Sequence, residues 1–330
     1  MKKIINATDK VETQMLDGLC KAYPGYVRRL DGLDVIVRAQ KKEDKVALIS
    51  GGGSGHEPAH GGYVGRGMLD AAVAGAVFTS PTPDQIFEGI KAACAGKGVL
   101  MIVKNYTGDV MNFEMAADLA RDEGIPVEEV IVNDDVAVDG SLYTVGRRGV
   151  AGTVFVHKLA GAAAEAGKSL EEVKAVAEKA IANVRSMSMD IRPCTVPAAG
   201  KPGFTLAEDE MEIGIGIHGE PGVYREKLKS ADEIADILLE KILADLDYTG
   251  SEVAVMINGC GATPLMELLI VNNHVSDVLK EKGISVYRTM VGEYMTSLEM
   301  EGFSVTLLKL DEELKALLDA PADTPALKFI

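Results

Sequence analysis

The stretch Val46-Ala47-Leu48-Ile49-Ser50-Gly51-Gly52-Gly53-Ser54-Gly55-His56-Glu57-Pro58 joins an apolar run directly to a glycine loop. The run is typical of a buried strand, and the loop carries almost no side-chain bulk. Glycine loses more conformational entropy on folding than other residues, so a chain keeps several together where its backbone must approach something closely. The stretch therefore predicts a strand of an α/β sheet followed by a loop, and the loop is expected to form the floor of a small-molecule site.

Strand, loop and helix patterns alternate outward from this junction through the first half of the chain. Polar loops follow the strands that end at Ile49, Val103 and Val132, and Ser80 lies in a further loop. This alternation predicts a mostly parallel, doubly wound sheet with helices on both faces, and ligands bind such sheets outside the carboxyl ends of the strands. The predicted strands are 35–37, 45–50, 71–78, 98–103 and 130–132, and the predicted helices are 9–30, 56–68 (short and broken by glycines), 84–94 and 110–122.

The second half of the chain predicts another, smaller α/β domain. An alanine-rich helical region at 152–184 is followed by polar residues at 183–193, which we interpret as a linker or crossover. We therefore expect an N-terminal domain over 1–183 and a C-terminal domain over 184–330. Further predicted strands are 211–218, 253–257, 285–291 and 303–308, with helices around 234–242 and from 264 to 282.

Composition restricts the class of protein. The 34 basic and 50 acidic residues give a net charge of −16, which opposes binding to nucleic acid or to an anionic membrane. The N-terminus lacks the apolar core of a signal peptide, and no apolar run approaches the ~20 residues of a membrane span. The four cysteines are far apart, which indicates reduced thiols. We expect a cytoplasmic protein.

The glycine loop does not match the common nucleotide motifs. No Lys-Ser/Thr pair ends it as in a Walker A loop, and His56 stands where a dinucleotide fingerprint has its third glycine. Its backbone amides can still hold a phosphate or a hydroxyl group, and a tight structural turn remains the alternative. His56-Glu57-Pro58-Ala59-His60 matches the zinc-protease pattern in letters, but that motif needs a continuous helix, and a proline and glycines interrupt this one. We expect no metal site.

Lys104 and Asp109 follow a buried strand, in the loop after Val103. A lysine there can hold a phosphate or form a Schiff base, and an aspartate can act as a general base towards a hydroxyl group. Alternatively, Asp109 only stabilises the start of the following helix, by less than about 1 kcal/mol. Both interpretations are compatible.

His218 ends a predicted strand that is rich in glycine, so its ring has room for a ligand. If the extended conformation continues, His218 and Glu220 point the same way, and Glu220 can orient the imidazole. A solvated turn histidine is the alternative. His157 and His274 lie in helical patterns, where a structural role is expected.

At these residues the chain resembles the substrate-binding K subunits of dihydroxyacetone kinase, nearly over its full length. The motifs that carry the resemblance are Gly51–Pro58, Phe78-Thr79-Ser80-Pro81, Lys104-Asn105-Tyr106-Thr107-Gly108-Asp109, Gly146-Arg147-Arg148-Gly149 and Gly214–Pro221. The resemblance implies two α/β domains, a homodimer and the phosphorylation of dihydroxyacetone (glycerone). It also implies a covalent hemiaminal between His218 and the substrate carbonyl, proton transfer by His56 and Asp109, and substrate binding by Gly53, Ser80 and Lys104.

The sequence shows no nucleotide-binding motif and no all-helical module of the kind that ATP-dependent members carry. The resemblance therefore implies a stand-alone subunit that binds no cofactor itself. Its phosphoryl donor would be a partner L subunit with bound ADP and magnesium, recharged through an M subunit of the phosphotransferase system from phosphoenolpyruvate. The alternative is a dihydroxyacetone-binding paralogue that acts as coactivator of a transcription regulator and has no kinase activity.

Overall fold

A computed structural model describes residues 2–138 and 146–329, and they form two six-stranded sheets with helices around them. The first sheet has the order β1-β2-β4-β3-β5-β6, in which β3, β4, β5 and β6 are parallel while β1 and β2 pair antiparallel. This confirms the predicted mostly parallel sheet. Its strands are β1 Val27–Arg29, β2 Val35–Arg38, β3 Ala47–Ser54, β4 Ala71–Val77, β5 Val99–Lys104 and β6 Val127–Val132. Its helices are α1 Val11–Ala22, α2 Pro83–Ala93 and α3 Thr107–Asp122, followed by α4 Thr153–Glu165 and α5 Leu170–Asn183.

Alternating side chains of the first sheet enter two different cores. Ile49 and Met101 pack with Phe113 and the other apolar residues of α2 and α3 on one face. Their neighbours Leu48 and Leu100 join the core of α4 and α5 on the opposite face. Because successive residues of a strand point to opposite faces, a run that is apolar at every position requires helices on both sides. The sheet is doubly wound for this reason.

The second sheet is mostly antiparallel and has the order β11-β10-β12-β7-β8-β9; only β10 and β11 pair parallel in it. Apolar residues of α6 and α7 cover one face, while Ala254, Met256 and Leu308 enter the core that α4 and α5 share with the first sheet. One core thus connects the two sheets. The elements are β7 Val184–Arg192, β8 Glu210–Ile213, β9 Tyr224–Lys227, α6 Ala231–Asp245, β10 Glu252–Gly259, α7 Leu265–Glu281, β11 Ser285–Gly292, β12 Glu301–Leu310, α8 Glu312–Asp319, β13 Ala322–Asp323 and β14 Lys328–Phe329.

Two predicted helices in the first half are wrong in extent or in kind. The helix predicted over 9–30 ends at Ala22, because the residue before Pro24 is pushed out of the helical region. Residues 56–68 contain only one short 3-10 turn, Gly61–Tyr63, because Pro58 lacks an N–H group and five glycines interrupt or flank the segment.

The segment predicted as a linker, 183–193, is instead largely the strand β7, which pairs with β12 and β8 inside the second sheet. The structure gives the serines of this segment partners inside the fold, with Ser186 buried and Ser188 partly buried. The Ser186 hydroxyl donates to Asp134 (2.5 Å) and the Ser188 hydroxyl donates to the Ile215 carbonyl (2.5 Å). The strands of the two sheets fall on either side of residue 184, and the division into domains 1–183 and 184–330 stays a prediction.

Two boundaries next to the predicted site also shift. The helix predicted from 110 begins at Thr107, so Asp109 lies within the first turn of α3 rather than before it. The strand predicted over 211–218 ends at Ile213, because Gly214 adopts a φ of 77° that breaks the extended chain. Over the described ranges, no helix combines the length and apolar character that a membrane crossing requires.

Candidate functional site

A cleft of about 500 Å³ lies where the carboxyl ends of β3, β4 and β5 face the turn after β8. The first sheet contributes Gly53, Ser80, Tyr106 and Asp109 to its wall, and the second half of the chain contributes the segment His218–Pro221. The loops after parallel strands meet at one sheet edge, so residues far apart in sequence converge there. This volume is within the range of small-molecule sites.

His218 is held by Glu220 on the far side of the cleft. The strand has already ended, and a turn with Gly219 at a φ of 77° brings the two residues together, not the extended chain that the sequence suggested. His218 Nδ1 lies 2.8 Å from Glu220 Oε1, and the His218 backbone N–H donates to Glu220 Oε2 at 2.8 Å. Because Nδ1 is engaged by a carboxylate, Nε2 is the ring nitrogen available for a ligand.

Glu220 is buried yet remains a strong acceptor. Burial raises the pKa of Glu220, but the charge and hydrogen bond of His218 and the charge of Arg148 outweigh it and lower the pKa to about 2. Glu220 is therefore ionised throughout the neutral range, and an ionised carboxylate accepts the His218 Nδ1–H strongly. This interaction fixes the tautomer and the orientation of the ring.

His56 lies fully buried against His218. The two ring centroids are 4.7 Å apart at an interplanar angle of 75°. His56 Nδ1 donates to the Thr296 carbonyl at 2.8 Å, whereas Nε2 is buried and has no hydrogen-bond partner. Burial, aided by the nearby charge of Lys104, holds the pKa of His56 well below its usual range. The neutral ring with an unpartnered Nε2 can accept a proton or bind a hydroxyl group.

Asp109 and Lys104 form a buried pair of opposite charges under the glycine loop. A Cβ added to Gly52 would lie 3.2 Å from Lys104 Nζ and 3.5 Å from Asp109 Oδ2, so the bare Gly52 backbone packs on both groups. Burial raises the pKa of Asp109. The charge of Lys104 and a hydrogen bond from Ser80 lower it again in part. Burial lowers the pKa of Lys104, which Asp109 partly opposes. Asp109 Oδ1 and Lys104 Nζ both lack a hydrogen-bond partner. The carboxylate oxygen can accept a hydrogen bond from a ligand, and the ammonium can donate one.

Gly53 makes room for the turn that follows β4. A Cβ at this position would lie 2.5 Å from the Thr79 nitrogen and 2.7 Å from Phe78 Cα, which is closer than real Cβ atoms approach. The strand predicted to end at Ser50 continues to Ser54, so Gly51, Gly52 and Gly53 belong to β3 and not to a loop after it. The close backbone approach expected of this glycine stretch is nevertheless present.

We expect Gly53→Ala to lower the free energy of unfolding by about 1–3 kcal/mol, because the added methyl group forces the backbone at 78–79 to shift. Gly18→Ala is a matched control on α1, where an added Cβ meets nothing within 4 Å. That change should raise the free energy by about 0.5–1 kcal/mol through helix propensity. Urea denaturation measures both. Equal effects of the two substitutions would contradict the close contact at Gly53.

Two aromatic residues in the quoted motifs received no role from the sequence. Phe78 stacks on His56 at 5.2 Å and 16° and meets the His218 ring edge-on at 5.2 Å. Tyr106 contacts His218 edge-on at 4.6 Å and 85°, with its hydroxyl buried and without a partner. They wall in the imidazoles and exclude water. The available signal was that each aromatic follows a buried strand in a chain with only 5% aromatic residues.

The remaining histidines lie elsewhere. His60 Nδ1 contacts His157 Nε2 at 3.0 Å in the interior, and burial lowers the pKa of His157 to about 3. His274 on α7 contacts Asp236. His56 and His60 therefore have separate partners on a segment that is not helical, unlike a zinc-protease motif. Within 2–138 and 146–329, no three His, Cys, Asp or Glu residues are grouped as a metal site would need.

The structure brings most of the predicted site residues to one place. Gly53, Ser80, Asp109, His218 and Glu220 line the cleft. His56 and Lys104 are completely buried beside it. The chemical role of each residue stays a prediction.

Comparisons with known proteins agree over nearly the whole chain. A family model described as the Dak1 domain matches residues 17–326. The dihydroxyacetone-binding subunit DhaK of the PTS-dependent dihydroxyacetone kinase 1 of Listeria innocua is 60% identical, over 99% of this chain and 100% of that protein. The dihydroxyacetone kinase of C. freundii in complex with AMP-PNP and Mg2+ matches with a TM-score of 0.92 and 36% identity, over 98% of this chain and 60% of that one. The dihydroxyacetone kinase operon co-activator Dha-DhaQ matches with a TM-score of 0.89 and 38% identity, over 95% and 96% of the two chains.

Proposed function

Because this chain belongs to the Dak1 domain family, we propose that it is the dihydroxyacetone-binding subunit of a phosphoenolpyruvate-dependent dihydroxyacetone kinase. One observation carries the proposal at the level of chemistry. His218 has its Nδ1 engaged by Glu220 and faces a second, neutral histidine beside a cleft of about 500 Å³. That arrangement leaves Nε2 as a nucleophile for a carbonyl group.

In the proposed capture step, His218 Nε2 bonds to the carbonyl carbon of dihydroxyacetone, and the C=O π bond breaks. The carbonyl oxygen takes up a proton and the ring releases its Nδ1 proton towards Glu220, so that the product is a neutral hemiaminal. Glycerol has no carbonyl group and differs little in size from dihydroxyacetone. A pocket of fixed volume would discriminate weakly between the two, whereas the covalent step accepts only the ketone. Short ketones and aldehydes are the expected substrate class.

Phosphoryl transfer then takes place on a terminal hydroxyl group of the captured substrate. Asp109, with an unpartnered oxygen, accepts the hydroxyl proton as oxygen attacks the phosphorus, and His56 Nε2 assists. Lys104, Ser80 and the bare Gly53 backbone hold the substrate in line, and Lys104 adds positive charge next to the incoming phosphate. The phosphoryl group would come from a nucleotide that an L subunit carries, where magnesium would neutralise the phosphate charge. ADP would remain on the L subunit as the leaving group, and an M subunit would restore its phosphoryl group.

The proposal is tested by reconstitution. The chain is mixed with an L subunit, the phosphoenolpyruvate-dependent donor system including an M subunit, and dihydroxyacetone. Dihydroxyacetone phosphate should form only when this chain is present. Tight substrate binding without any product would contradict a kinase role.

The similarity to the Dha-DhaQ co-activator favours one alternative, a dihydroxyacetone-binding coactivator without kinase activity. The same reconstitution separates the two, since a coactivator binds the ketone and yields no phosphate ester. The homodimer and the cytoplasmic location also belong to this proposal, and light scattering of the purified chain tests the dimer.

A further inference from the structure

Arg148 is a fully buried arginine that reaches from the first half of the chain under the turn of His218. Its Nε donates to Asp135 Oδ2 at 2.7 Å, and its Nη2 donates to the Gly214 carbonyl at 2.7 Å. Its third nitrogen, Nη1, is buried without a hydrogen-bond partner. A planar guanidinium holds five N–H donors in a fixed fork, so it can donate to several partners at once in a defined geometry.

The unpartnered Nη1 lies near the carboxylate of Glu220 without forming a hydrogen bond or an ion-pair contact with it, so the two groups interact through charge alone. A Cβ added to Gly216 would collide with Glu220 Oε2 and would lie 2.6 Å from Arg148 Nη1, so both atoms border the same bare backbone. No side chain at Gly216 separates the two charges. In a buried setting the attraction between them is screened far less than at a surface.

Glu220 needs a cation of this kind. Only 6% of the residue is exposed, and an ionised carboxylate at such a depth is costly unless it is compensated. The charge of Arg148 is one of the influences that lower the pKa of Glu220. Arg148 keeps its charge at every working pH.

We propose that Arg148 is a positioning residue for His218: it acts through Glu220, keeping that carboxylate ionised and aimed at His218 Nδ1, so that Nε2 faces the cleft as the free nitrogen. Arg148 touches no reacting atom. The inference rests on the proposed function in one respect only, the use of Nε2 as nucleophile. The orientation and tautomer of His218 are properties of the chain without substrate.

The test must separate the effect of the Arg148 charge from the effect of its packing, because Arg148→Gln alone leaves the buried Asp135 carboxylate without its ion-pair partner. The principal variant is therefore the pair Asp135→Asn with Arg148→Gln, which leaves an amide pair in place of the ion pair. Asp135→Asn alone retains the guanidinium next to Glu220. Arg147→Gln is the matched control for loss of a neighbouring guanidinium, since the partly buried Arg147 pairs with Asp245 at 2.8 Å.

The first readout is the tautomer of His218 in the ligand-free chain, from nitrogen NMR of histidine-labelled protein, with His218→Ala to assign the signal. We expect Nδ1 to stay protonated in Asp135→Asn and Arg147→Gln, and this preference to be lost in the paired variant. The second readout is the dihydroxyacetone adduct by intact mass, with an expected loss of at least ~10-fold in the paired variant. Adding Glu220→Gln should remove any further effect of Arg148.

The outcomes are distinguishable. An unchanged His218 tautomer in the paired variant, relative to Asp135→Asn, overturns the inference. If the unsubstituted chain forms no adduct, the proposed function fails, and the tautomer alone decides the role of Arg148. Equal losses in Asp135→Asn and in the paired variant assign Arg148 to packing of the ion pair and also reject the proposal.

Discussion

His218→Ala is expected to abolish the covalent adduct with dihydroxyacetone and to lower turnover by at least about 10³-fold, because it removes the nucleophile. The cleft should otherwise persist, since alanine leaves Phe78 and Tyr106 in place. Intact-mass spectrometry after incubation with the ketone measures the adduct, and product formation in the reconstituted system measures turnover. His274→Ala, on the exposed side of α7, is the control and should retain both.

The competing nucleophile is Lys104, whose pKa burial lowers towards the range in which an amine can attack a carbonyl. A lysine adduct would be an imine, and borohydride would trap it irreversibly. We expect no trapping, because the neighbouring Asp109 opposes the lowering of the Lys104 pKa and so favours the charged ammonium, which is not a nucleophile. A borohydride-trapped peptide containing Lys104 would move the covalent role from His218 to the lysine.

Asp109→Asn is expected to lower turnover by about 10²–10⁴-fold while the adduct on His218 still forms. An amide has nearly the shape of the carboxylate but cannot take the proton of the attacking hydroxyl group. Single-turnover kinetics with an excess of charged L subunit, together with the mass of the adduct, separate the two steps. Asp122→Asn at the far end of α3 is the matched control and should turn over normally.

The pH dependence of the unsubstituted chain gives an independent check on Asp109. Only the ionised carboxylate is a base, and burial raises its pKa above the ordinary 3.8. Turnover should therefore fall as the pH drops through this raised pKa, and it should begin to fall at a higher pH than an exposed aspartate would give. In Asp109→Asn the acid limb should disappear from the residual rate. Full turnover in that variant would remove Asp109 from the base role.

The parallel sheet could be predicted from sequence because its central strands contain continuous apolar runs, such as Val46–Ile49 and Val99–Val103, and its helices carry one apolar face. Ile49 and Leu48 enter opposite cores, as a doubly wound sheet requires. The strand β7 was missed because Ser186 and Ser188 look solvent-exposed until their hydrogen bonds to Asp134 and Ile215 are known. Those partners lie far away in sequence, and local pattern carries no information about them.

The candidate site likewise contains residues that could be predicted from the sequence and residues that could not. His56, Asp109 and His218 were found because each follows a strand in a motif with unusual chemistry. The pairing of His218 with Glu220 was expected, but for the wrong geometric reason, since a turn and not an extended strand joins them. Arg148 was quoted without a role, because a buried arginine can be told from an exposed one only when its distant partners Asp135 and Gly214 are placed.

The imidazoles of His56 and His218 are held by different kinds of group, so substitutions at their partners have unequal effects. His56 is anchored by the main-chain carbonyl of Thr296, which every amino acid at 296 would supply. His218 is anchored by the side chain of Glu220, which a single codon change can remove. A substitution at Glu220 can therefore disable the proposed covalent step while the other residues of the pocket remain in place. Under the proposed function the covalent step is also what selects the ketone, so a chain that lost Glu220 would lose recognition of the substrate together with catalysis.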